Sequence, residues 1–180
     1  MSVLQQPLIT LEQYARLPDR DGMIDDLIAG EVVYRPLHSA LHGLVSGNVC
    51  MAFHEYRQRN GGSATLRCGM VVARTSDTVV SADAAFWRDR ESMVVEQGWP
   101  TVPPQGAFEI VDTDEPYSEV MRRVRLLVGF GIGVLWLVDP TEEFVTEFRS
   151  ESVRLFARSA TLDGGAVLPG FSCKVADLFA

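Results

Sequence analysis

The chain has 180 residues, 47% of them hydrophobic, enough for one core of ordinary size, so a single domain spanning residues 1–180 is expected. Acidic residues outnumber basic ones 24 to 16, a net charge of −8, which argues against attachment to nucleic acid by bulk positive charge. It leaves room for a local basic groove, or for an acidic site that a metal converts into a phosphate binder.

In chain order, Thr10 is suited to cap a short helix with Leu11, Tyr14, Ala15 and Leu17 on its apolar face, ended by Pro18. The Met1–Pro7 start carries no basic-then-apolar signal pattern. Met23 to Tyr34 reads as a hairpin turning at Ala29-Gly30. Ser39 to Arg59 has Leu41, Leu44, Val45, Val49, Ala52, Phe53 and Tyr56 at helical spacing, and Asn60-Gly61-Gly62 stops it. Three strand-like pieces follow, Ala64–Arg67, Gly69–Arg74 and Thr78–Arg88. The proline-rich stretch Asp89–Gln105 reads as a loop with one helical turn. Ala107–Asp112 is a short buried strand. Tyr117–Phe130 is a helix ended by Gly131, and Val134–Val138 is a strand apolar on both faces. A hairpin, Glu143–Phe148 with Val153–Phe156, and a short helix, Lys174–Phe179, complete the chain. This order predicts an α/β (α+β) domain with a mixed central sheet and a helix on each side. No apolar run approaches the roughly 18–20 residues of a membrane helix. Cys50, Cys68 and Cys173 form no CxxC pair and read as buried free thiols of a cytoplasmic protein.

Two residues break the apolar pattern of their strands. Asp83 lies in Val79–Phe86 and Glu109 in Phe108–Val111. A carboxylate buried in a strand costs several kcal/mol unless it is paired, hydrogen-bonded or metal-bound. A divalent cation would relieve the repulsion between two of them, although strand-end carboxylates solvated or paired with arginine are the commoner case. Arg123 borders the apolar stripe of its helix and is within reach of both, whereas Arg122 and Arg125 point away. By periodicity alone a surface arginine or a counter-ion is the favoured reading. His38 and His42 are spaced i, i+4, but no third ligand at helical spacing follows, so ordinary polar histidines outrank a metal pair. The run Gly129–Gly133 precedes a strand, so it is not a dinucleotide cradle.

The ordered set Ile9–Tyr14, Leu27–Val33, His42, Thr78–Phe86, Phe108–Val111, Gly131–Pro140, Leu168–Phe171 and Val175–Phe179 resembles the Uma-type family of restriction-endonuclease-like proteins, within the PD-(D/E)xK nuclease superfamily. The resemblance implies a restriction-endonuclease-like core in which Asp83 and Glu109 hold Mg²⁺ or Mn²⁺ and DNA phosphodiesters are hydrolysed. It also makes Asp26, His42 and Asp112 accessory candidates, and a homodimer is expected of a nuclease that cuts both strands. Arg123 stands where the family pattern places lysine, and Val111 stands two residues after Glu109, where an ordinary ExK motif would have it. The 16 basic residues are fifteen arginines and Lys174, and Lys174 lies far from any catalytic position in the pattern. Arginine does not release its proton, so it cannot activate water as a depressed-pKa lysine does, though it can stabilise charge on a phosphate. Two functions are therefore chiefly open, a metal-dependent endonuclease, impaired or not by this exchange, and a decayed relative serving as a binding or regulatory module; a metal-dependent hydrolase acting on something other than DNA is a third, weaker one.

Overall fold

A computed structural model describes residues 7–93 and 98–180. Met1–Gln6, most of the start read above as lacking a signal, and residues 94–97 of the predicted loop lie outside the described residues. The elements are α1 (Leu11–Tyr14), β1 (Met23–Ile28), β2 (Glu31–Pro36), α2 (Ala40–Asn60), β3 (Ser63–Ala73), β4 (Thr78–Trp87), α3 (Arg90–Met93), β5 (Gly106–Ile110), α4 (Tyr117–Phe130), β6 (Val134–Asp139), β7 (Phe144–Arg149), β8 (Ser152–Ala157), β9 (Thr161–Asp163) and β10 (Ser172–Lys174), followed by a 3₁₀ turn, Val175–Phe179. No helix among the described residues is long and apolar enough to cross a membrane.

Eight strands form a mixed sheet in the order β2-β1-β4-β5-β6-β7-β8, with β3 paired to the remaining edge of β4. Only β5 and β6 run parallel, joined by α4 as the crossover. Side-chain alternation along β5 and β6 divides the core. Phe108, Ile110, Val134, Trp136 and Val138 pack under Val45, Val49 and Phe53 of α2. Ala107, Leu135 and Leu137 pack under Val120, Val124 and Leu127 of α4. The predicted fold class, a mixed sheet with helices on both sides, is the one observed.

The helix ends follow local chemistry. Ser39 caps α2 by accepting the His42 N–H, and Gly131 closes α4 at φ 96°, where a side chain would be strained. The pieces predicted as separate strands on either side of Cys68 are one strand, β3, kinked at Arg67, whose φ is 49°, and shifted in register between Val71 and Ala73. The three cysteines are free, with Cys173 buried and Cys50 and Cys68 half-buried.

The sheet changes character in the middle of β4. One edge of β4 pairs with β3 along its length. The other edge is shared, pairing with β1 only at Leu27–Val79 and with β5 from Ala84 to Phe86. Between these contacts the two neighbours diverge, and Asp83 sits in the fork. Facing also changes there. Val80 and Ala82 pack on the α4 side, as do Ala85 and Trp87, while Ala84 and Phe86 pack on the α2 side. Alternation therefore slips by one residue at Asp83. On β3 the same slip occurs at Arg67, since Ala64 lies toward α2 whereas Cys68 and Met70 lie toward α4. Because each strand carries one odd residue, opposite one another, the pairing stays in register across the slip, from Ser63 to Val71.

Candidate functional site

At the fork, carboxylates take over hydrogen bonds that a continuous ladder would have made. Asp26 Oδ1 accepts from the Ser81 N–H at 2.9 Å, and Asp83 Oδ2 accepts from the Ile110 N–H at 2.8 Å. This is why acidic residues occur in strands that are otherwise apolar: each occupies a gap where backbone donors lack a strand partner. Asp83 is 4% exposed, Asp26 2% and Glu109 0%. The β4–β5 register, continued by one residue, sets Asp83 opposite Glu109.

The two carboxylates have different partners. Glu109 Oε1 accepts from Arg123 Nε at 2.7 Å, and Arg123 is held on its far side by both carboxylate oxygens of Glu115, with Nη2 at 2.8 Å from Oε2. Arg123 is thus a buried cation between two acids, and the reading of it as a surface arginine is overturned. The apolar stripe of α4 delivers it under the sheet, where desolvation would be prohibitive without those acids. Glu109 Oε2 is buried with no hydrogen-bond partner. Burial, reinforced by the Asp83 charge, pushes the Glu109 pKa up to about 7 despite Arg123.

Asp83 faces two imidazoles. His42 Nε2 lies 3.2 Å from Oδ2 and His38 Nε2 lies 3.6 Å from Oδ1. Burial alone would raise the Asp83 pKa, but His42, the Ile110 N–H and His38 outweigh it and hold the carboxyl below the usual range. Burial pulls the His38 pKa below the ordinary imidazole value, against the raising effect of Asp83. The two rings are stacked, with centroids 3.6 Å apart and planes 1° from parallel. His42 occupies the first turn of α2, whereas His38 precedes the cap, so the helical reading of the pair is corrected: only one of them is on the helix. The third group at this pair comes from a strand, which helical spacing could not disclose. His38, His42 and Asp83 each offer a ligand atom, all within 4.8 Å of one another.

Asp112, just past β5, anchors this arrangement. Its Oδ2 accepts from the Ser39 N–H at 2.8 Å and lies 3.5 Å from His38 Nδ1, and its Oδ1 is buried without a partner. Burial raises its pKa, but the Ser39 N–H more than compensates and keeps Asp112 ionised. Asp26 lies on the other flank, 3.4 Å from Arg35 Nη2, and burial raises its pKa. A cleft of about 220 Å³ opens between Asp26, Arg35, Glu115 and Arg123.

Of the residues singled out in the sequence, Asp83, Glu109, Arg123, Asp26, His42 and Asp112 converge on this fork. Arg122 and Arg125 do not; Arg122 lies on the outer face of α4, 3.6 Å from Glu119. Sequence reasoning missed Glu115 and Arg35, and it set His38 aside. The i, i+4 spacing of His38 and His42 was a usable signal. Nothing in the spacing of Glu115, eight residues before Arg123, marks it as a partner.

A family model described as Uma2, putative restriction endonuclease, matches residues 11–176. Among solved structures, the chain is similar to a putative nuclease belonging to DUF820 from Anabaena variabilis ATCC 29413, with a TM-score of 0.77 and 19% identity over 95% of this chain and 97% of that one. At that identity the likeness establishes a shared fold. No curated protein matches the chain.

Proposed function

Since the chain belongs to the Uma2 family of putative restriction endonucleases, we propose that it is a divalent-metal-dependent endonuclease acting on DNA phosphodiesters at the β4–β5 fork. The carrying observation is a pair of buried carboxylates, Asp83 and Glu109, on adjacent strands, with Glu109 Oε2 left without a partner in the interior. An orphaned buried carboxylate oxygen costs about 1–3 kcal/mol or more, and a cation is the usual compensation. The donor set fits a divalent ion held by Asp83 and Glu109, either Mg²⁺ or Mn²⁺. When bound, such an ion neutralises charge on the scissile phosphate and acidifies water.

The chain's own residues carry the remaining work. Arg123 fixes Glu109 through Nε and is itself fixed by Glu115, so its role is to position the carboxylate. It cannot accept the proton of the attacking water. The group at the site that can is Glu109, with its raised pKa. Arg35 lines the cleft, and its Nε and Nη1 are buried there without hydrogen-bond partners. DNA is the substrate proposed on the family's description, and a homodimer would present two such forks to the two strands.

The test is cleavage of supercoiled plasmid with Mn²⁺ or Mg²⁺. Nicking or linearisation is expected, falling to background in Asp83→Ala and in Glu109→Ala. Undiminished cutting by both variants would remove the site. The second reading, a non-catalytic module, is favoured by one observation: the Arg123 guanidinium is fully engaged by two carboxylates. It predicts metal binding without cleavage under any ion.

A further inference from the structure

We propose that His38 and His42 join Asp83 in a mixed nitrogen-and-oxygen site for a borderline transition ion of the Co²⁺ and Zn²⁺ class, so that the centre discriminates against Mg²⁺. The inference rests on the nuclease reading only in seating a divalent ion at Asp83.

Four observations carry it. The Nε2 atoms of both rings are buried without hydrogen-bond partners, and both lie beside Asp83 oxygens. Both Nε2 atoms face the Asp83 carboxylate, so one cation between rings and carboxylate would satisfy them together. Two imidazolium rings stacked at 3.6 Å would repel one another. Each Nδ1 has a partner of its own, Asp112 Oδ2 at 3.5 Å for His38 and Ser46 Oγ at 3.2 Å for His42. With those oxygens accepting an Nδ1–H, the Nε2 lone pairs are left for a ligand, as in carboxylate–histidine–metal arrangements. The three ligand atoms lie within 4.8 Å of one another, close enough for small side-chain rotations to seat one ion with bonds of about 2.0–2.2 Å among them.

The scaffold is rigid. Asp112 Oδ2 holds the Ser39 N–H and lies beside the His38 ring, so one carboxylate fixes both the start of α2 and the orientation of a donor. Imidazole nitrogen is a good donor for transition ions and a poor one for Mg²⁺, which takes oxygen and water. With two nitrogens at the fork the site is selective by donor chemistry, and Glu109 Oε2 is positioned nearby as a further oxygen.

The experiment titrates metal-free full-length protein with Mn²⁺, Co²⁺, Zn²⁺ and Mg²⁺ by calorimetry and records the visible spectrum of the Co²⁺ form. Zn²⁺ and Co²⁺ are expected to bind at least 100-fold tighter than Mg²⁺, with a Co²⁺ spectrum showing nitrogen ligation. His42→Asn and His38→Ala are each expected to weaken Zn²⁺ by tenfold or more and leave Mg²⁺ unchanged. Asp112→Asn should weaken Zn²⁺ about tenfold through the His38 ring. His54→Ala, which removes the exposed third histidine, should change nothing; if it abolishes the binding instead, the ion is on the surface and the inference fails. Thermal unfolding of each variant without metal separates lost ligation from lost folding. Equal Mg²⁺ and Zn²⁺ affinities, or binding lost in Asp83→Ala but intact in the double histidine variant, would overturn the nitrogen site and leave the nuclease reading standing. Selective binding lost with the histidines, but no plasmid cleavage under any ion, would uphold this inference and remove the nuclease reading. Absence of binding by every ion would overturn both.

Discussion

Arg123 shows how far one residue can be read without its surroundings. Its place beside the apolar stripe of α4 was visible, and so was its reach toward Glu109. Its burial to 3% exposure was not, because burial depends on Glu115, which arrives from the turn before the helix. Removing one partner of a buried ion pair strands the other, so Arg123→Ala is expected to cost about 3–5 kcal/mol in urea unfolding. Arg123→Lys, which keeps the charge but not the fork of donors, should cost less. The raised Glu109 pKa has a consequence for the metal-free protein. Between the ordinary glutamate value of 4.5 and about 7 the unfolded chain releases the Glu109 proton while the folded chain retains it. The contribution is therefore fully present below about 4.5 and is lost as pH rises through about 7. Glu109→Gln should flatten that part of the stability–pH curve, measured by denaturant midpoints from pH 4.5 to 8. His38 was within reach of sequence reasoning but was discounted, since a third ligand was sought on the helix and came from β4.

Among the elements, the hairpins and both long helices were legible because their signals are local: apolar period, caps and turn residues. The β1–β2 turn is of the kind that needs two left-handed residues, with Ala29 at φ 54° and Gly30 at φ 78°. Glycine suits that conformation and alanine does not. Ala29→Asn should raise stability by roughly 0.5–1 kcal/mol, since asparagine tolerates this region, and the Ala29 N–H to Thr78 Oγ1 bond does not depend on the side chain. A rise in thermal midpoint with plasmid cleavage unchanged would bear this out. The slip of alternation at Arg67 and Asp83 was half-legible. Reading two short strands on either side of Cys68 registered an irregularity in the right place, but mistook it for an end. Only the partner strand shows that chain direction persists while the faces exchange.

Over the whole molecule, the sheet order explains why the site is where it is. β1 and β5 share one edge of β4 and part at its middle, and the fork between them is the place where backbone donors call for carboxylates. No one-dimensional pattern encodes which strands share an edge, so the convergence of Asp26, Asp83, Glu109 and Asp112 entered the sequence reading through family resemblance. The net charge of −8 then bears on the DNA substrate proposed for this molecule. With few phosphates neutralised, affinity for an uncleavable duplex in EDTA should be weak and its salt slope shallow, about −3 or less in magnitude on a log–log plot. Adding Mn²⁺ should raise affinity at least tenfold in fluorescence anisotropy, and Asp83→Ala should abolish that gain. Tight metal-independent binding with a steep slope would point to a basic surface elsewhere.

The paired irregularity of β3 and β4 also bears on how such a site can be lost during descent. Deleting Asp83 alone would leave Arg67 unopposed and turn the residues on one side of it to the wrong face, ejecting Ala84 and Phe86 from the α2 layer or their neighbours from the other. Only the simultaneous loss of Arg67 would restore the pairing, and two coordinated deletions in separate strands are a rare event. Decay of the centre must therefore proceed by substitution at fixed length, one side chain at a time. A lineage that abandons the chemistry would be expected to retain the kinked hairpin, and with it the empty geometric slot from which the activity could be rebuilt.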